Sequence, residues 1–326
     1  MNRVLAVDLG GTKTAVGVVD ADGKIIAKET APTTLGSFQA TINLVIRLSR
    51  AVIEKAGAVT ALGVALPGIV DREKGLLLRS PSSGWVDAAF GPALSSALGM
   101  RSECDNDVNA CALAEARFGS GRGLEAFFWL TISTGIGGAL CVRDRVYSGA
   151  RGMAGEIGHL VVREEGAACG CGNRGCLEAE AAGPAWRRKA LALLETRSVS
   201  GAGSGFLGML PRASIDARAI ADGARSGDSL CREVVEDVGS ALARGVASIM
   251  SVMDPEAIVV GGGVAAALDL LAPIIVRRVE RHALGESCPI LPSALGYDAA
   301  LVGAAALALF PETNGGIPWN ATSRPR

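Results

Sequence analysis

Three glycine turns, a run of carboxylates and amides, and one histidine-cysteine cluster hold the groups in this sequence that could do chemistry. Each glycine turn follows an apolar stretch: Asp8-Leu9-Gly10-Gly11-Thr12-Lys13, Ser133-Thr134-Gly135-Ile136-Gly137-Gly138 and Gly261-Gly262-Gly263-Val264. Glycine lets backbone N–H groups approach phosphate oxygens closely, while threonine hydroxyls and Lys13 add donors and positive charge. No Gly-Lys-Ser or Gly-Lys-Thr closes a six-residue run, so the P-loop pattern is absent, and the Rossmann spacing fails too. Asp8 ends its strand beside the first turn. A carboxylate there either caps the turn or holds Mg²⁺ against nucleotide phosphates.

Asp105-Asn106-Asp107-Val108-Asn109 precedes an alanine-rich helical stretch, so one of these residues must cap that helix. Four polar side chains exceed what capping requires. Phosphoryl transfer to an alcohol needs one carboxylate to take the hydroxyl proton, and the residues alone leave open which. His159, Cys169, Cys171 and Cys176, in the order His-x9-Cys-x-Cys-x4-Cys, satisfy a closed tetrahedral zinc site, and the intervening glycines permit the tight backbone it needs. A redox pair or free thiols are the alternatives. Glu156 and Glu178 flank this segment, and a zinc that folds it would draw them together. Each carboxylate accepts two hydroxyl hydrogens and Asn106 offers both donor and acceptor, which is chemistry suited to a sugar and separate from the glycine turns.

The elements that must position these groups alternate between strand and helix, which favours an α/β fold. Val4 to Val7, Ala15 to Val19 and Lys24 to Glu29 read as hairpin strands around a turn at Asp20-Ala21-Asp22-Gly23. Residues 127 to 147 repeat the layout at an offset of 124, matching Gly11 to Gly135, Ala15 to Ala139, Val18 to Val142 and Asp20 to Asp144. This indicates an internal duplication. Between the copies lie a helix over 38–57, a buried strand at Gly63 to Pro67 and a helix from Asn109 to Phe118. Ser198 to Pro211 reads as a loop, 214–226 and 228–253 as helices, and Ala257 to Val260 as a strand.

The bulk composition excludes several classes. With 326 residues the chain is long enough for two domains sharing a cleft, and 49% hydrophobic residues allow an ample core. A net charge of -1 offers no field for nucleic acid or an anionic membrane. Apolar runs such as Leu301 to Phe310 fall short of the roughly 20 residues a membrane helix needs. No secretory signal opens the sequence, so the eight cysteines are expected to be reduced and the protein cytoplasmic.

These motifs in this order closely resemble the ROK family of bacterial glucokinases, N-acetylhexosamine kinases and sugar-responsive repressors: Asp8 to Lys13, Pro67-Gly68 with Asp71, Asn106-Asp107 with Asn109, Thr134 to Gly138, Glu156 to His159, Cys169 to Glu178 and Gly261 to Val264. The resemblance implies an actin-like (ribonuclease H-like) duplicated α/β fold with two domains around a cleft. It implies a smaller N-terminal domain over 1–117, with a C-terminal helix at about 298–310 packed back on it. A larger domain over 118–297 would carry a zinc knuckle at 159–176, and a flexible tail would span 311–326. It implies that Asp107 is the catalytic base, and that Gly68, Ser82, Asn106, Glu156, His159 and Glu178 contact the sugar. Asp8, Gly10, Gly11, Thr12, Lys13, Thr134, Gly135, Gly261, Gly262, Gly263 and Val264 would bind ATP, with Asp8 on Mg²⁺.

Zinc on His159, Cys169, Cys171 and Cys176 would be structural. The expected activity is transfer of phosphate from Mg-ATP to the 6-hydroxyl of glucose, with an N-acyl hexosamine such as N-acetylglucosamine or N-acetylmannosamine as the alternative acceptor. A homo-oligomer, dimer or tetramer, is expected, without nucleic-acid or membrane partners. The repressor reading is disfavoured, because the first glycine turn begins at residue 8 and leaves no room for a preceding helix-turn-helix. Three residues depart from the family's usual pattern: Ser82 stands where glucokinase-like members usually carry Asn, Glu180 where an aromatic is common, and Ser133 replaces a frequent glycine in the second phosphate turn.

Overall fold

The computed structural model describes residues 2–34, 36–80, 83–199, 205–280 and 287–311. Ser82 and the tail beyond 311 fall outside these. The elements in chain order are β1 (Arg3–Leu9), β2 (Lys13–Asp20), β3 (Ile25–Pro32), α1 (Phe38–Ala56), β4 (Leu62–Leu66), β5 (Ile69–Asp71), β6 (Leu76–Arg79), β7 (Val86–Ala88), α2 (Phe90–Leu98), β8 (Ser102–Asn106) and α3 (Asp107–Phe118). There follow β9 (Ala126–Ile132), β10 (Ile136–Val142), β11 (Arg145–Tyr147), α4 (Leu177–Ala181), α5 (Gly183–Val199), α6 (Gly205–Gly208), α7 (Ala217–Arg225), α8 (Ser229–Met253), β12 (Ala257–Gly261), α9 (Leu268–Val279), β13 (Ile290–Pro292) and α10 (Ala299–Leu309).

One five-stranded sheet has the order β3-β2-β1-β4-β8 and the other β11-β10-β9-β12-β13. Written in chain order within each copy, the two are the same arrangement, a hairpin extended by parallel strands. The duplication in the sequence is therefore a duplication of topology, and the fold is the actin-like, ribonuclease H-like one. Both hairpins lie where the apolar runs and glycine bends place them. A small antiparallel sheet, β5-β6-β7, has no counterpart in the sequence reading. The stretch read as a loop over 198–211 holds the end of α5 and the short α6.

Contacts group the chain into two compact units, one of residues 1–126, 139–154 and 294–326 and the other of 127–138 and 155–293. In the first, the core gathers Leu5, Val7 and Leu9 of β1, Val16 and Val18 of β2, Val45, Leu48 and Val52 of α1, and Phe90 and Leu94 of α2. Helix α1 presents these residues at three- and four-residue spacing, and its cap Ser37 accepts a bond from the Ala40 N–H. Helix α10 is built of small residues and lies buried on α3, β1 and β4. A Cβ at Gly63 would collide with the Ala304 carbonyl, and one at Gly303 with the Ala110 carbonyl, so glycine is what lets α10 come this close. Among the described residues no helix is long and apolar enough to cross a membrane.

Candidate active site

Parallel pairing fixes where the chemistry in the first unit lies. β1, β4 and β8 run side by side, Asp8 opposite Ala65 and Leu66 opposite Asn106. Their carboxyl ends therefore share one edge, which brings together Asp8, the Pro67-Gly68 segment and Asn106-Asp107. Such an edge of an open α/β sheet is where ligands bind. Gly68 has φ of 140° and lies against the Arg79 carbonyl, so glycine is required there.

Asn106 is the cap of α3: its Oδ1 accepts from the N–H groups of Val108 at 2.8 Å and Asn109 at 3.2 Å, while its Nδ2 donates to the Gly68 carbonyl at 2.9 Å. Both lone pairs of Oδ1 are thereby committed. Asn106 keeps one amide hydrogen for a ligand, so it can donate to a sugar but not accept from it, which narrows the expected role. Asp107 is the first helical residue, half-buried, and is not needed as the cap. Asp105 is buried among protein partners. It is 2% exposed, accepts from the Asn106 N–H at 2.7 Å and from Asn109 Nδ2 at 3.1 Å, and faces Arg72 at 3.4 Å. Burial pushes its carboxyl up, and Arg72, Asn109 and Asn106 oppose without cancelling that push. Asp105 and Arg72 thus position the segment from beneath, roles that the sequence did not reveal.

The first glycine turn is closed by the Gly10 N–H donating to the Lys13 carbonyl at 3.0 Å, and a Cβ at Gly10 would stand 2.7 Å from that oxygen. Thr33, also unanticipated, braces it: its hydroxyl donates to the Gly10 carbonyl at 2.7 Å and its N–H to the Thr12 carbonyl at 3.0 Å. Thr12 and Lys13 face solvent.

Asp8 is pushed up to about 7, first by removal from water and then by the Asp107 carboxylate, against the pull of Lys13 and Lys28. A carboxylate held this unwillingly in its charged form fits a divalent cation, which would favour that form. The same shift makes a prediction for metal-free protein. Between the unfolded value of 3.8 and about 7 the folded state holds the extra proton, so unfolding free energy falls as pH rises through that window and stays low above it. Asp8→Asn removes the penalty. In the presence of a chelator its melting temperature should exceed wild type by several degrees at pH 8 and match it at pH 3.5, as calorimetry would read; no difference at pH 8 would contradict the assigned cause.

In the second unit, β9 and β12 run parallel with Thr131 opposite Gly261, so the second and third glycine turns leave the same edge. Gly262 has φ of 86° and lies against the Ile132 carbonyl, and Gly261 lies under the Trp129 ring. The side chain of Val264 is buried, which leaves Gly263 as the exposed part of the third turn.

The second turn shows a relation that the sequence reading missed. Glu178 does not stand apart from it: its Oε2 accepts from the Ile136 N–H at 3.0 Å. The separation of acceptor carboxylates from glycine turns expected for this residue is therefore wrong, because α4 carries Glu178 straight to the turn.

His159, Cys169, Cys171 and Cys176 place one donor atom each within 4.8 Å of one another. Cys169 Sγ lies 3.7 Å from His159 Nδ1 and Cys171 Sγ 3.6 Å from Cys176 Sγ. Donors at tetrahedral angles on zinc, with metal–sulfur bonds of about 2.3 Å, stand about 3.5 to 3.8 Å apart, so the set fits that ion. His159 Nε2 turns the other way, 3.8 Å from Glu156 Oε2.

Glu180, the residue that replaces an aromatic, is 3% exposed and closes a charge network. Its carboxylate accepts from the Ala167 N–H at 2.7 Å, pairs with Lys189 at 2.9 Å and Arg163 at 3.3 Å, and both cations also pair with Asp237 on α8. Burial would push its carboxyl up, but the Ala167 N–H, Lys189 and Arg163 outweigh burial and hold it below its ordinary range. The cysteine loop is thus tied to α5 and α8 by ionic contacts as well as through its sulfurs.

The sequence profile of the ROK family matches residues 4–310. A glucokinase of Thermotoga maritima is 33% identical over 94% of this chain and 96% of its own length. The structure of a ROK family glucokinase from Streptomyces griseus in complex with glucose and AMPPNP superposes with a TM-score of 0.80 at 30% identity, over 94% of this chain and 99% of that one. The transcriptional regulator NagC of Escherichia coli is 29% identical over 96% of this chain but only 77% of its own length. A match across nearly the whole sequence, with the duplicated sheets and the motif residues at their edges, has one meaning: the chain belongs to the ROK family.

Proposed function

We propose that the protein is an ATP-dependent hexose kinase that phosphorylates the 6-hydroxyl of glucose in the cytoplasm, where its nucleotide substrate is abundant. The observation that carries this reading is the division of labour at the start of α3: Asn106 caps the helix, Asp105 is buried against Arg72, and Asp107 remains beside Asp8 at the sheet edge. Glucokinase relatives matched over nearly their whole length support this reading.

In the reaction, the Asp107 carboxylate accepts the proton of the sugar hydroxyl as the oxygen attacks the γ-phosphorus. The bond to the β-γ bridging oxygen breaks and ADP leaves. Gly10 to Lys13 and Thr134-Gly135 offer N–H groups and charge to the phosphates, and Gly261 to Val264 lie near the nucleoside. Bound at Asp8, Mg²⁺ would neutralise phosphate charge. Glu156, His159, Glu178 and the remaining amide hydrogen of Asn106 hold the sugar hydroxyls. Zinc on His159 Nδ1 and the three cysteines would keep Nε2 facing the acceptor.

The test is a panel of hexoses, hexosamines and N-acyl hexosamines with Mg-ATP, read by coupled ADP release. Glucose should give the highest kcat/KM. Turnover of an N-acyl hexosamine above glucose would replace the acceptor, and no turnover of any sugar would refute the kinase.

A further inference from the structure

Ile136 is gripped on both sides of its peptide. Its N–H donates to Glu178 Oε2 at 3.0 Å, and its carbonyl oxygen lies so close to Gly158 that a Cβ there would collide with it. Gly158 sits between Glu156 and His159, and Glu178 follows Cys176 by two residues. Both ends of the acceptor-binding segment therefore bear on one residue of the second glycine turn. That turn is also held by backbone bonds, the Ser133 N–H on the Gly135 carbonyl at 2.8 Å within it and the Gly183 N–H at the start of α5 on the Ser133 carbonyl at 2.8 Å. Gly135 is glycine for a reason that belongs to this contact: a Cβ would stand 2.5 Å from Glu178 Oε2.

A carboxylate has two oxygens, and only Oε2 is taken by the turn. We propose that Glu178 couples the two substrates. A sugar hydroxyl donating to Oε1 fixes the carboxylate, which fixes the Ile136 N–H and with it Thr134-Gly135, so the ordering of the phosphate turn is already complete when the nucleotide arrives. Glucose then raises nucleotide affinity, and linkage requires nucleotide to raise glucose affinity by the same factor. The chain of contacts is short and contiguous, through Glu178 on one side and Gly158 on the other. Ile136 and Gly158 are positioning residues here, acting through the groups they hold.

This inference rests on the kinase reading, and the experiment separates the two. Titration calorimetry with a non-hydrolysable ATP analogue and Mg²⁺, with and without glucose above its Kd, gives the coupling factor directly. In the wild type, glucose should tighten the analogue by roughly 5- to 150-fold, the usual range for coupled sites. Gly135→Ala displaces the carboxylate from the turn while keeping every side chain that faces the sugar, and Glu178→Ala removes it. In both the factor should fall to within about twofold of one, with glucose held above each variant's own Kd. Should Gly135→Ala not fold, Glu178→Ala decides alone. A wild type that phosphorylates glucose yet shows a factor of one, or a Glu178→Ala that keeps the wild-type factor, overturns the coupling and leaves the kinase standing. A wild type that binds and phosphorylates no sugar overturns both.

Discussion

Asp107→Asn should lower kcat by about 10²- to 10⁴-fold, the usual cost of removing a general base, while leaving glucose affinity and melting temperature close to wild type. Asparagine is nearly isosteric and can still bond a hydroxyl, and the helix keeps its cap because Asn106 supplies it. What the variant lacks is a proton acceptor. Asp105→Asn is the informative neighbour, though not as a silent control. It replaces a buried carboxylate that faces Arg72 by a neutral amide, so its effect should be read in stability while the folded fraction retains kcat. Denaturant melts and stopped-flow turnover on the same samples separate the two effects. Wild-type turnover in Asp107→Asn would remove this segment from the chemistry.

Loss of the cysteine cluster should be nearly as damaging. Elemental analysis should find one zinc per chain, and Cys176→Ser, at a buried position, should lose it. Structural zinc contributes on the order of 10 kcal/mol to small domains that depend on it. In this chain the surrounding unit has its own core, and Glu180, Lys189, Arg163 and Asp237 still hold the loop at Ala167. The variant should therefore fold but melt more than about 10 °C lower, and glucose KM should rise by about 10²-fold as His159 and Glu178 lose their fixed positions. A metal-free wild type with full activity would refute the zinc assignment.

The parts of this architecture that could be read from the sequence are those encoded by neighbours along the chain. Apolar runs on either side of Gly10-Gly11 and Gly135 marked both hairpins, and the histidine-cysteine spacing marked the cluster. The cap of α3 was recognisable only as one of several candidates, because Asp105, Asn106 and Asp107 all have the right chemistry and tertiary partners choose among them. β5 and β7, at three residues each, are too short to show a period. The bond between Glu178 and Ile136 spans 42 residues, and the one from Thr33 to Gly10 spans 23. Pairings of that kind have no local signature. Glu180 stood out as a departure from the family pattern, yet its partners Arg163, Lys189 and Asp237 come from three separate stretches and nothing near it named them.

The close seat of α10 has a temporal consequence. Its residues are the last described element of the chain, yet they cover β1, which begins at residue 3. The last strand of the first sheet ends at residue 106, so at roughly 5–20 residues per second of synthesis that sheet waits about 10 to 40 s on the ribosome for the helix that completes it. Throughout that interval the small-residue face around Gly63 and Ala110 is open to chaperones and to neighbouring nascent chains. A message cut short before residue 299 releases a protein in which that face never closes.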